Sequence, residues 1–366
     1  MRESVPVKPA VERYVQEHLR AGLGRVRDAR WSVMQCALAA MLAWSLASDV
    51  IGHAQAFYAP VAAVVCLGVS NGQRIRRVLE LAVGVTVGVG IADLLYSQVG
   101  SGTWQIGLVV AVALLAAQFL GGGPLATNQA AVQASFLIAL PAAAGHGLGR
   151  WEDALIGGVC ALLVAAVLPP DPIPPVRRHA RALITELAEV VEAAAAAIRT
   201  GDPALADATL DRARRTQADV ERWTDALRGA DEITTLSPLR RRHRAELRRY
   251  RLALVGLDRA TRNMRVAVRR VAADLDQGHP LPEPLAGVLH DLGRVLHALH
   301  DEVGRDPSLG RTSDELVGLA ARLDPARLEA TSFSATVVLG QVRSAVVDLL
   351  GAVGFGLADA RAKLAG

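Results

Sequence analysis

Six apolar segments crowd into residues 31–168 with only short polar gaps between them. They cover 31–51 (WSVMQCALAAMLAWSLASDVI), 56–70 (AFYAPVAAVVCLGVS), 78–96, 104–120 (WQIGLVVAVALLAAQFL), 126–144 (ATNQAAVQASFLIALPAAA) and 154–168 (ALIGGVCALLVAAVL). A helix needs about 20 residues to cross the hydrocarbon of a bilayer, with a range of about 17–25. The first, third, fourth and fifth segments meet that length. The second and sixth are short and must tilt little, thin the bilayer or recruit flanking residues. Buried helices of a water-soluble core are the rival reading, and six in a row with such small gaps argue against it. The mean hydropathy of +0.27 points the same way, because soluble chains seldom average above zero. The sequence therefore predicts an all-α protein: an integral membrane bundle of six transmembrane helices, followed by a cytosolic helical domain.

The arginines set the expected orientation. Lysine occurs only at Lys8 and Lys363, so Arg carries nearly all the positive charge. Basic residues fill the N-terminal 30 residues, the gap NGQRIRR after the second segment, and PPDPIPPVRRHAR after the sixth. The gaps GHAQ, SQVGSGT and GGGPL have none, and Arg150 lies beside Glu152 and Asp153 after the fifth. The positive-inside rule places both termini in the cytosol of a bacterial plasma membrane. Phe57, Tyr58, Tyr96, Trp104 and Trp151 then form an expected outer aromatic belt, with Trp31 at the inner face. No cleavable signal peptide is expected, because the charged N-terminus precedes the first span. Residues 9–25 have helical apolar spacing at Val11, Tyr14, Val15 and Leu19. They suit an amphipathic helix on the inner membrane surface or a short helix on the protein's own soluble part. The expected domains are 1–30, a cytosolic amphipathic segment; 31–170, the six-span domain; and 171–366, the cytosolic helical domain.

PPDPIPP, residues 169–175, marks the last boundary, since proline ends helices. Helices are expected over 176–200, 203–228, 237–276, 283–303, 313–323 and roughly 325–363. Gly201-Asp202 supplies a turn and cap before the second of them. The long third helix carries a seam of Leu247, Tyr250, Leu254, Leu257, Thr261, Met264, Val268 and Val271. Its alternating three- and four-residue spacing is a heptad pattern, which predicts packing on a long antiparallel partner or a second subunit. The apolar stretch 344–357 is too short and too interrupted to span, and reads as core of this domain.

Few residues suggest chemistry. Cys36, Cys66 and Cys160 sit in apolar runs and behave as small filler. His290, His297 and His300 share a helix, but their spacing alone is a weak metal signal beside an ordinary polar face. The run RRRHRAELRRYR at 240–251 reads as a solvated face near anionic headgroups, with no nucleic-acid motif. No nucleophile elbow, phosphate loop or carboxylate pair builds an active site, so an enzyme is not expected, nor a cofactor or metal. The polar residues within the apolar segments are what remain. Arg74, Arg76 and Arg77 open the third segment, Glu80 lies one turn inside it, and Asp93 lies near its far end. Asp93 and Asp49 are close enough to an interface to reach water. Ionisable groups within a membrane usually face a bundle interior or cavity. Asn128, Gln129 and Gln133 add three amides on the fifth segment, suited either to interhelical hydrogen bonds or to lining a path. Gly84 and Gly88 form a small-xxx-small step for close helix contact.

Residues 57–95, FYAPVAAVVCLGVSNGQRIRRVLELAVGVTVGVGIADLL, resemble the FUSC (fusaric acid resistance) and aromatic acid exporter families. Those families share an aromatic-Ala/Trp-Pro span, an Arg-rich inner loop and a Gly-patterned helix. Residues 334–354, SATVVLGQVRSAVVDLLGAVG, resemble the end of short actinobacterial-type members. Where relatives often carry Arg before Gly-Thr, this chain has Glu80-Leu81 and then Gly84-Val85-Thr86. The resemblance implies passage of small organic or aromatic carboxylate anions. The plant aluminium-activated malate transporters are similar in layout, which implies a homodimer with a pore near the subunit interface. Longer relatives carry two such modules, which fits a half-size chain pairing with itself. Arg74, Arg76 and Arg77 would then gather anions at the cytosolic mouth. Membrane lipid, a second copy and a small organic anion are the expected partners, and nucleic acid is not. The alternative is a non-transporting membrane scaffold whose helical domain binds a protein.

Overall fold

A computed structural model describes residues 30–53, 56–68, 74–100, 102–139, 149–305, 309–325 and 330–365, with isolated residues at 22, 26 and 328. The expected N-terminal amphipathic helix and residues 140–144 of the fifth segment lie outside them. Among the described residues every regular element is helical. The chain divides into two compact units, Met1–Pro170 with Thr235–Leu239, and Asp171–Thr234 with Arg240–Gly366.

The first unit contains α1 (Arg30–Val50), α2 (Tyr58–Leu67), α3 (Arg74–Val99), α4 (Thr103–Phe119), α5 (Pro124–Ala139) and α6 (Gly149–Val167). The last turn of α1, Leu46–Val50, is π-helical. Its side chains are sorted by size in an unusual direction. In α1 the buried face is Ser32, Gln35, Cys36, Ala39, Ala43 and Ala47, while Val33, Met34, Met41, Leu42 and Trp44 point outward. The same holds for α4, where Val109, Ala113 and Ala117 are inside and Trp104, Leu108, Leu115 and Phe119 outside. Beyond residue 170, the large apolar side chains left exposed among the described residues are Leu239, Leu252, Val255 and Phe333. An apolar exterior this continuous has no stable place in water. In lipid it costs nothing, and small inward residues are what bring helices together.

Close backbone approach follows. A Cβ on Gly84 would lie 2.8 Å from Ala126 Cα, and one on Gly88 would lie 2.7 Å from Ala130 Cα. The α3–α5 contact is therefore backbone against backbone. Gly157 of α6 meets α2 likewise, with 2.7 Å between a notional Cβ and that of Ala62. At one end of the bundle Trp31 Nε1 donates to the Leu168 carbonyl at 3.2 Å, and Gln35 donates to the same oxygen. Element lengths depart from expectation. α2 has only 10 residues, roughly 15 Å at 1.5 Å per residue, which is half the hydrocarbon thickness. α6 begins at Gly149 rather than 154, so Arg150 and Glu152 lie in its first turn and Asp153 directly after it.

The chain beyond residue 170 contains α7 (Ile173–Thr200), α8 (Pro203–Leu236), a 3₁₀ turn (Pro238–His243), α9 (Arg244–Asp276), α10 (Glu283–Glu302), α11 (Gly310–Ala320), α12 (Phe333–Ala352) and α13 (Leu357–Ala365), all in the second unit except Thr235–Leu239. Gly201, at φ +63°, closes α7. Asp202 Oδ1 then accepts from the amides of Ala204 and Leu205 at 2.9 and 3.2 Å and caps α8. The long third helix begins at 244 rather than 237. Pro238 biases the residue before it away from α geometry, and the arginine-rich start becomes a 3₁₀ turn. The last helix divides because Gly354, at φ +109°, turns the chain between α12 and α13.

The heptad seam of α9 finds its partner within the chain. α12 packs along it antiparallel: Gly256 lies against Ala352, Asn263 donates to Asp348 at 2.8 Å, and Arg270 donates to Ser334 at 2.8 Å. By length and composition α12 is apolar enough to cross a membrane, contrary to the expectation drawn from 344–357 alone. Its packing accounts for the apolarity. Val338, Val342, Ala345, Val346 and Leu349 are buried in the core shared with α7, α9 and α10. Arg343 also donates to the Leu323 carbonyl. Ser332 caps its start by accepting from the Ala335 amide at 3.1 Å.

Replacing Gly88 by Leu should force α3 and α5 apart and lower the thermal unfolding temperature in detergent, whereas Gly107→Leu, whose Cβ meets nothing within 4 Å, should not. Overpacking of this kind costs about 1–3 kcal/mol. His179 gives a pH prediction for the second unit. Burial, with Arg178 and Arg222 nearby, holds its imidazole below the ordinary value. The folded state disfavours the charged form, so this contribution is complete above the ordinary histidine value of about 6.5 and is lost as pH falls through the lower folded one. An unfolding-temperature profile across pH 5–8 should flatten in His179→Gln.

Candidate functional site

The expected site residues fall at two ends of the first unit. Arg74, Arg76 and Arg77 form the first turn of α3; their side chains lie outside the described residues. Glu80, half-buried, sits one turn further on, beside the α4–α5 turn: a Cβ on Gly123 would lie 3.4 Å from Glu80 Oε2. Asp93 is 13 residues along the same helix, about 20 Å away. The three amides of α5 do not share a surface. Asn128 is exposed, Gln129 is intermediate and Gln133 is buried. Asn128 joins Gln118, Leu114, Gly122, Pro124 and Thr127 around an open groove of about 500 Å³.

Asp93 was expected to reach water near the interface, and instead it is buried, at 6% exposure. The reason is Arg150, which the sequence offered only as a loop charge. Arg150 is carried by the first turn of α6, and its Nε donates to Asp93 Oδ1 at 3.1 Å. Its guanidinium carbon lies 5.2 Å from the centre of the Tyr96 ring, and Nη1 is 3.5 Å from the Leu137 carbonyl at the end of α5. Thus α3, α5 and α6 converge on one cation. Tyr58, at the start of α2, completes the cluster. Its hydroxyl is within reach of Arg150 and Asp93, and neither it nor Asp93 Oδ2 has a partner in good hydrogen-bond geometry. Two buried polar atoms thus face the arginine without partners. The expected outer aromatics differ in exposure. Phe57 and Trp104 are exposed, but Tyr58 is buried, Tyr96 faces Arg150, and the indole of Trp151 covers Gly90 with 2.8 Å between a notional Cβ and the ring.

A second polar cluster shares the start of α6. His53, in the connection after α1, places Nδ1 2.7 Å from Asp153 Oδ1 and Nε2 3.3 Å from Glu152 Oε2. Asp153 is 2% exposed. Sequence reading passed over His53 and Asp153 because both lay in what looked like connections. The charged run Arg150-Trp151-Glu152-Asp153 directly before an apolar segment was the available signal.

The histidines of α10 have separate carboxylate neighbours: His297 Nε2 is 3.1 Å from Glu192 and His300 Nδ1 is 3.2 Å from Asp301. Among the described residues no cluster of His, Cys, Asp and Glu suits a metal ion.

The family model described as fusaric acid resistance protein-like matches residues 42–164, which contain both polar clusters. An uncharacterized protein of Corynebacterium glutamicum is 34% identical over 343 residues, covering 92% of this chain and 88% of that protein. Proteins of Mycobacterium bovis and Mycobacterium tuberculosis carrying the name "Putative arylamide transporter" are each 38% identical over 160 residues. That match covers 42% of this chain and 45% of each of those proteins, so the chain spans about half their length.

The ion pair is testable by itself. Arg150→Met should strand Asp93 as a buried unpaired charge, a loss of about 3–5 kcal/mol. The double variant Arg150→Met, Asp93→Leu should recover much of it. Thermal unfolding of wild type, Arg150→Met, Asp93→Leu and the double variant in one detergent gives the coupling, and a double-variant loss equal to the sum of the two single losses would show none.

Proposed function

Because the chain belongs to the fusaric acid resistance protein-like family and is a membrane transporter, we propose that it moves small organic or aromatic carboxylate anions across a bacterial plasma membrane as a homodimer, not as an enzyme. Each subunit contributes six apolar segments that traverse the bilayer, with α2 the short one, and a cytosolic helical domain after residue 170; both termini are cytosolic.

One observation carries this reading: Arg150, its side chain 12% exposed among apolar helices, already binds a carboxylate, that of Asp93. Arginine presents a planar fork that suits any carboxylate, and a low-dielectric site strengthens that attraction. A substrate carboxylate competing for the same fork has the orphaned Tyr58 hydroxyl as a further donor. The ring of Tyr96 beside the guanidinium supports an aromatic substrate. At the other end of α3, Arg74, Arg76 and Arg77 supply positive charge at the cytosolic mouth. The relatives named for arylamides widen the panel worth testing to neutral aromatic amides.

Flux in proteoliposomes, with and without a pH gradient, should be saturable for aromatic carboxylates. It should fall at least about tenfold in Tyr58→Phe, which keeps the ring and removes one hydrogen bond to a charged group. Arg77→Ala should slow flux while leaving the dimer intact on crosslinking. Wild-type protein that moves no carboxylate under any gradient would favour the scaffold reading, and flux of arylamides alone would reassign the substrate.

A further inference from the structure

Two arginines one turn apart on α7, Arg177 and Arg181, lie against the end of α10. Arg181 Nη2 donates to the Val303 carbonyl at 2.8 Å. The Arg177 guanidinium covers Gly304, with 3.0 Å between a notional Cβ there and the guanidinium carbon. Part of their role is therefore to meet the carbonyl end of α10, where cations are favoured. That role uses one Nη donor and leaves much unspent. The Nε groups of both arginines are buried with no hydrogen-bond acceptor. Tyr250 of α9, 8% exposed, points its hydroxyl into the same place, also without a partner. Both arginines are within electrostatic reach of that hydroxyl.

Among the described residues neither arginine forms an ion pair with a carboxylate. Glu246 of α9, 3.8 Å from His243, is also within electrostatic reach of the Tyr250 hydroxyl. Burial raises Tyr250 above its ordinary value, against the opposing pull of Arg177 and Arg181. The hydroxyl therefore keeps its proton at neutral pH and is a donor. Buried donors that face nothing are costly and rare, and here three converge beside two positive charges. Gly304 and Arg305, beside the buried Nε groups, are exposed.

We propose that Arg177, Arg181 and Tyr250 form a binding site for a phosphate-type oxyanion, either free in solution or the phosphomonoester of a lipid headgroup. Three donors match the three terminal oxygens of a phosphomonoester, whereas a carboxylate offers two. Two arginines match its charge of about −1.5 to −2. A lipid source is close in sequence, since Arg177 follows the end of α6 at Val167 by ten residues.

The full chain in detergent, titrated with inorganic phosphate against chloride at equal ionic strength, should show a saturable rise in unfolding temperature. In nanodiscs, phosphatidic acid should stabilise it beyond phosphatidylglycerol if the source is lipid; a response confined to inorganic phosphate assigns the free ion. Tyr250→Phe keeps the ring and should weaken the apparent affinity about tenfold, as loss of one charge-assisted hydrogen bond predicts. The double variant Arg177→Gln, Arg181→Gln should abolish the response. The proposal is overturned if neither phosphate nor phosphatidic acid stabilises the wild type beyond its control, or if Tyr250→Phe responds with wild-type affinity.

Discussion

Backbone contact between helices is the constraint on which the first unit depends. In lipid, apolar side chains gain nothing by leaving their surroundings, so helices associate through close packing and polar contacts. Gly84 and Gly88 bring α3 onto Ala126 and Ala130 of α5, and Gly157 brings α6 onto α2. Large residues are displaced to the outside, as in α1 and α4. The tight α3–α5 and α2–α6 contacts in turn leave little room between helices, so a polar group carried inward must meet another polar group. Asp93 and Arg150 do so, 57 residues apart in sequence.

The charge pair is then both a structural tie and the chemical centre. Its net charge is zero, which lowers the cost of burial, but its hydrogen bonding is incomplete: Asp93 Oδ2 and the Tyr58 hydroxyl are left over. A purely structural pair would be expected to satisfy such atoms. The second cluster, His53 with Glu152 and Asp153, holds the connection after α1 to the same end of α6. The start of one helix thus anchors two separate stretches of chain.

The second unit follows different physics. Its core is of ordinary kind, with large residues such as Leu187, Trp223, Leu257 and Leu296 inside. The heptad seam of α9 was legible because its period repeats over eight positions. Its partner was not, since α12 lies some 80 residues later and is broken in sequence by Gln341, Arg343 and Asp348. Those residues look like interruptions in a linear reading. In the fold Asp348 accepts from Asn263 and Arg343 donates to the Leu323 carbonyl. The division of the final helix at Gly354 was likewise hidden among several glycines, because only the local φ singles it out.

The sequence by itself determined that this chain is helical, that its first half is too apolar for water, and that its likeness runs to the fusaric acid resistance family. The first two follow from composition and short-range period, which each segment carries within itself; the likeness rests on residues 57–95 and 334–354. Only the tertiary structure decided which polar residues act together. It joined Asp93 to Arg150, set Tyr58 beside them, moved Gln133 inward and Asn128 outward, and brought Arg177 and Arg181 to Tyr250. Such pairings depend on which helix faces meet across tens or hundreds of residues, and no local spacing encodes that.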